Sequence, residues 1–129
     1  MAHADRGTRI VFVDDSVVAL EWAKEGLGEF GFDVVTYNAS LGIQSFVRKN
    51  EPHMVLLDVH MPALAGDLVC RMLKDSLETR NVVVALYSSL PERELEELAA
   101  QSGADGYIVK TTNVEELADK LRALIDNTH

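Results

Sequence analysis

A three-layer α/β sandwich around a parallel sheet is the fold class this sequence predicts. Three observations carry it: five short apolar runs, five stretches of helical period, and their strict alternation along 129 residues. A chain of this length can bury most of its apolar surface without disulfide staples. One domain over 1–129, with its core at about 8–126, is expected.

The apolar runs are Ile10–Val13, Val34–Tyr37, Met54–Leu57, Val82–Tyr87 and Tyr107–Val109. They are brief and nearly continuous in hydrophobicity, as strands covered on both faces must be. Val17, Leu20, Ala23, Leu27 and Phe30 mark the face of a first helix, and Gly31 offers a positive-φ stop. Ser89 with Glu92 forms a capping-box pattern, with Pro91 in the first turn of a fourth helix that Gly103 ends. Asn113 with Glu116 opens the last helix, whose face is Val114, Leu117, Ala118, Leu121, Leu124 and Ile125. Right-handed crossovers then place helices on both sides of the sheet. The expected architecture is a (βα)5, doubly wound, flavodoxin-like sheet in strand order 2-1-3-4-5.

Composition narrows the function classes. Lys plus Arg number 12 against 21 Asp plus Glu, and the net charge of −9 repels nucleic acid and anionic lipid. The lone Cys70 allows neither a disulfide nor a Cys-based zinc site within one chain. No signal-peptide core opens the chain and no run approaches a spanning helix, so a cytoplasmic location without a membrane partner is expected. Histidines at 3, 53, 60 and 129 form no i, i+4 pair, which gives a His-based metal site little support. Gly26-x-Gly28-x-x-Gly31 fits the dinucleotide pattern but closes a helix instead of opening one after a strand. It is rejected as a nucleotide site.

Ligands of such sheets sit at the carboxyl ends of the strands. The first strand ends in Asp14 and Asp15, the third in Asp58, the fourth in Ser88 and Ser89, and the fifth in Lys110. Three converging carboxylates repel by about 4 kcal/mol per pair at 4 Å and an effective dielectric near 20, so cations must accompany them. Hard oxygen ligands at that density suit Mg²⁺, which is held by one or two carboxylates and leaves another free to act. Asp58 is the free carboxylate, a candidate nucleophile toward phosphorus. Lys110 and the Ser88 hydroxyl would share the charge of the phosphoryl oxygens. Each residue alone is more often a cap or a solvated charge; Asp15-Ser16, for instance, is an ordinary helix start.

V-D-D-S at 13–16, L-L-D-V-H-M-P at 56–62, Y-S-S at 87–89 and G-A-D-G-Y-I-V-K at 103–110 together resemble the receiver domains of two-component response regulators. The resemblance covers nearly the whole chain. It implies Asp58 as phosphoacceptor, and Asp14, Asp15, Asp58 and the His60 backbone carbonyl as Mg²⁺ ligands. It further implies Lys110 as the phosphate-pairing lysine, Ser88 and Tyr107 as the switch pair, and Pro62 and Gly66 in the loop after the phosphoacceptor. The implied partners are a sensor histidine kinase or phosphotransfer protein and an effector protein, with a homodimer through the helix 4–strand 5–helix 5 face as a further expectation. The domain would catalyse its own phosphorylation and dephosphorylation without being a turnover enzyme. Thr111 departs from the proline that usually follows the lysine, and a trans bond is expected there. Two rivals remain: a degenerate receiver that only docks, and an aspartyl-phosphate phosphatase of the haloacid-dehalogenase type, which would want D-x-D where this chain has D-D.

Overall fold

The computed structural model describes residues 7–128. His3 and His129 lie outside the described residues. In chain order the elements are β1 (Thr8–Val13), α1 (Val17–Gly28), β2 (Phe32–Tyr37), α2 (Ile43–Asn50), β3 (Met54–Asp58), α3 (Gly66–Asp75), β4 (Val83–Ser88), α4 (Glu92–Ser102), β5 (Gly106–Val109) and α5 (Val114–Thr128). All five strands are parallel in the order β2-β1-β3-β4-β5, the topology expected from the alternation. No helix among the described residues is long and apolar enough to cross a membrane.

Both sheet faces are covered, which is why the strands read as unbroken apolar runs. Ile10, Phe12, Met54, Leu56, Ala85 and Tyr87 face one layer, where α1 contributes Leu20, Ala23 and Leu27 and α5 contributes Leu117, Ala118 and Leu121. Val11, Val13, Val55, Leu57, Val84 and Leu86 face the other, against α2, α3 and α4. The alternate sides taken by successive residues follow from the two-residue period of a strand.

Boundaries moved where backbone pairing outweighs side-chain hydrophobicity. β1 begins at Thr8 and β2 at Phe32 because Thr8 pairs with Phe32 in register, and β4 runs from Val83 to Ser88 instead of from Val82 to Tyr87. Val17 is 55% exposed and does not belong to the buried face of α1. The capping-box reading of Ser89 fails. Pro91 is the N-cap of α4 without a side-chain hydrogen bond, and Ser88, not Ser89, folds its hydroxyl back to accept from Leu90 N–H. Ser16 does cap α1 by accepting from Ala19 N–H, and Asn113 accepts from Glu116 N–H at the start of α5. Gly103 ends α4 at φ 80°.

Candidate functional site

Asp14 follows the last residue of β1, Asp58 is the last residue of β3 and Lys110 follows the last residue of β5, so parallel pairing delivers all three to one sheet edge. Among the described residues, Asp14, Asp15 and Asp58 each offer a carboxylate oxygen, and these lie within 4.8 Å of one another. Asp14 and Asp58 are buried, while Asp15 is exposed. Lys110 Nζ stands 3.4 Å from Asp58 Oδ1 and 3.9 Å from Asp14 Oδ2.

The two carboxylates are fixed differently. Asp14 Oδ1 accepts from Ser16 N–H at 2.9 Å, whereas its Oδ2 is buried without a hydrogen-bond partner. Burial pushes the Asp14 carboxyl up from its ordinary value; the Ser16 N–H opposes this, Asp58 adds to it and Lys110 counters it. Asp58 Oδ1 accepts from His60 N–H at 3.3 Å. A buried, unpartnered oxygen beside two more carboxylates is a donor set fitted to a hard divalent cation.

The loop beyond Asp58 is shaped by contact. Val59 N–H donates to Tyr87 O and Gly66 N–H donates to Val59 O, drawing the start of α3 against the end of β3. A Cβ on Gly66 would stand 2.1 Å from Asp58 O, so only glycine fits there. The Ser40 hydroxyl donates to Pro62 O, tying the β2–α2 loop to the same turn.

Ser88 is buried at the end of β4, one residue past Tyr87, the register partner of Asp58. Its carbonyl accepts from Lys110 N–H at 2.9 Å, which holds the root of the lysine beside β4. Tyr107 is not drawn to the carboxylates: its hydroxyl donates to Glu92 Oε2 at 3.0 Å, on the first residue of α4. That bond is the main reason its phenol is held above the ordinary value. No cis peptide occurs among the described residues, so the Lys110–Thr111 bond is trans.

Two contributors were not singled out from sequence. Tyr87 is buried beneath Lys110, whose Nζ lies 5.5 Å from the ring centroid. Its place as the β4 neighbour of the residue that ends β3 was readable once the strand order was known. Asp105 Oδ2 accepts from Val84 N–H at 2.8 Å and from Lys74 Nζ at 2.7 Å, locking β4, α3 and the entry to β5 together. Only its place inside G-A-D-G-Y hinted at such a role.

Fold and site define a doubly wound α/β domain with an acidic pocket and one lysine at its carboxyl edge. The model of the response regulator receiver domain matches residues 10–122, and the chain belongs to that family. Receiver domains are signalling domains of two-component systems, not turnover enzymes. The chain is 32% identical over 121 residues to the response regulator MprA of Mycobacterium leprae, covering 93% of this chain and 52% of that protein. The chain thus spans about half the length of the first curated relatives it matches. The fold is similar to that of the chemotaxis response regulator CheY4 of Vibrio cholerae (TM-score 0.84, 20% identity, covering 92% of this chain and 98% of that one). It is likewise similar to the BeF3-activated N-terminal receiver domain of Klebsiella pneumoniae RstA (TM-score 0.81, 29% identity, covering 91% and 97%).

Proposed function

We propose that this chain is a single phosphoacceptor receiver domain, core about 8–126, that takes a phosphoryl group onto Asp58 in the presence of Mg²⁺. The observation that carries the reading is the buried, unpartnered Asp14 Oδ2 grouped with Asp58 and Asp15, while Lys110 stands 3.4 Å from Asp58 Oδ1. Asp14, Asp15, Asp58 and the His60 carbonyl would hold the metal. Bound there, Mg²⁺ would neutralise the phosphoryl oxygens during transfer.

The remaining chemistry belongs to side chains of this chain. An Asp58 oxygen attacks phosphorus, the bond from phosphorus to the donor breaks, and the donor departs with that bonding pair and takes up a proton. The Lys110 ammonium and the Ser88 hydroxyl face the charge that develops on the phosphoryl oxygens. The Ser88 oxygen accepts from Leu90 N–H while its own O–H is left to donate, so a shift of Ser88 toward the phosphoryl group would be passed to the start of α4. Breaking the Tyr107–Glu92 bond is the matching event at the other side of that helix start.

The donor would be a sensor histidine kinase or phosphotransfer protein in the cytoplasm. The output would be an altered contact with an effector protein, or a homodimer, through α4, β5 and α5. The docking-only alternative drew its support from Thr111, yet Lys110 still reaches both acids with a trans bond behind it.

The decisive experiment incubates the protein with Mg²⁺ and acetyl phosphate. A mass increase of one phosphoryl group, lost in Asp58→Asn, is expected. Beryllofluoride, named with the RstA receiver, supplies a second probe through chemical-shift changes at Ser88 and Tyr107. No adduct with either reagent leaves docking alone. Turnover of phosphate esters that survives Asp58→Asn but not Asp14→Ala would replace the reading with a phosphatase.

A further inference from the structure

The lysine of the site is not held by the carboxylates alone. Its ammonium is 3.4 Å from one oxygen and 3.9 Å from another, both longer than the roughly 2.7–2.9 Å of a strong ammonium–carboxylate bond. The side chain is 36% exposed and carries a flexible four-carbon stem. Beside it lies a cavity of ≈ 450 Å³ that Asp14, Trp22, Tyr87 and Lys110 itself line, which leaves the ammonium open space in which to move.

Tyr87 limits that freedom. Its ring is buried below the ammonium, 5.5 Å from centroid to Nζ, within the range in which an aromatic face attracts a cation. Phe12 braces the ring edge-on, with centroids 5.5 Å apart and planes at 74°. Thr111, the residue after the lysine, lines the same cavity as the ring. The strand pairing that sets Tyr87 beside Asp58 also fixes the ring relative to the acid.

We propose that Tyr87 is a positioning residue for Lys110, its ring serving as the platform that keeps the ammonium beside Asp58 and Asp14 rather than loose in the open cavity they border. The kinetic part of this inference rests on the phosphoryl-transfer reading above; the placement of the lysine does not.

The test is a double-mutant cycle read by the rate of phosphorylation from acetyl phosphate with Mg²⁺. Tyr87→Leu should slow the wild type by about two- to fivefold, the equivalent of one exposed cation–π contact, and leave a Lys110→Ala background unchanged. Tyr87→Phe keeps the ring and should stay within about twofold of wild type. Equal slowing in both backgrounds would make Tyr87 a packing residue and overturn the proposal.

A second measurement needs no phosphorylation. The ε-methylene protons of Lys110 should be shifted upfield by the ring current in wild type and Tyr87→Phe, and should lose that shift in Tyr87→Leu. A wild-type protein that takes no phosphoryl group but shows this shift refutes the transfer reading and keeps the platform. Unshifted methylene protons in the wild type refute the platform, whether or not Tyr87→Leu folds.

Discussion

The Lys110 ammonium lies nearer to Asp58 than to Asp14, at 3.4 Å against 3.9 Å, although both acids are buried. The lysine is therefore placed for whatever Asp58 does, and only secondarily to relieve Asp14. Lys110→Ala should leave Mg²⁺ binding intact or tighter by calorimetry, because a like charge is removed from beside the metal. Phosphorylation by acetyl phosphate should slow by about 10²-fold, the usual cost of losing one charge-stabilising donor. Matched losses in metal affinity and in rate would show that the lysine organises the acids instead.

Asp14 is the acid that the fold tolerates least. Its Oδ2 is buried and unpartnered, and burial holds its carboxyl above the ordinary value. Asp14→Asn keeps an oxygen for the Ser16 N–H while removing a buried charge. Urea denaturation without Mg²⁺ should show the variant more stable by about 1–2 kcal/mol. Added Mg²⁺ should stabilise the wild type and leave the variant nearly unmoved, since only a bound ligand shifts the folding equilibrium. A variant less stable than wild type in metal-free buffer would refute this account.

The residues that were legible in sequence are those whose place depends on chain position alone. Asp14, Asp15, Asp58, Ser88 and Lys110 end or follow strands, and a parallel sheet must bring such residues to one edge. The buried face of α5 was legible for a similar reason: Leu117, Ala118 and Leu121 recur at helical spacing and are all buried. What depends on a partner across the fold was not. Ser89 has the right spacing for a cap, but the N-cap of α4 is Pro91, two residues later, and Ser88 closes its own turn onto Leu90. Tyr87 and Asp105 act through strands and helices remote in sequence, and no local pattern marks them.

Gly66 offers a sharper steric test than any residue of the site. With Asp58 O only 2.1 Å from where a Cβ would sit, Gly66→Ala must push α3 away from the end of β3. Thermal or urea unfolding should show a loss of about 2 kcal/mol or more, and phosphorylation of Asp58 should fall with it. Gly28→Ala is the control. Nothing lies within 4 Å of its added methyl, and a helical alanine should leave stability unchanged or raise it by up to about 1 kcal/mol. Equal effects of the two substitutions would mean that the β3–α3 junction yields freely.

The Lys74–Asp105 pair is half-buried, with side-chain exposures of 19% and 22%, and is not a surface ion pair of negligible worth. Asp105 serves a strand N–H as well as an ammonium, and Lys74 also donates to Val82 O at 3.1 Å. Asp105→Ala would strand Val84 N–H and leave the ammonium only its bond to Val82 O. A loss of about 2–3 kcal/mol is expected, larger than for Lys74→Met, which removes the charge but leaves the Val84 bond in place. The reverse ranking would show that the ammonium, not the strand N–H, is the group that matters.

Cys70 gives the domain a dependence on alkaline pH. Burial pushes its thiol up to about 11 from an ordinary 9.0, with a hydrogen bond to Ser102 opposing the shift. The folded state thus keeps the proton over a range in which the unfolded chain loses it. The resulting stabilisation is complete below about pH 9 and disappears as pH rises toward about 11. Cys70→Ala has no such group, so the stability of wild type relative to the variant should fall through that window in denaturant titrations at increasing pH. Within the same window the native thiol should react with a disulfide reagent only as fast as the domain opens, because thiolate formation awaits exposure. A native thiol that reacts freely near pH 9, or two stability curves that run parallel, would show that the pocket around Cys70 admits water.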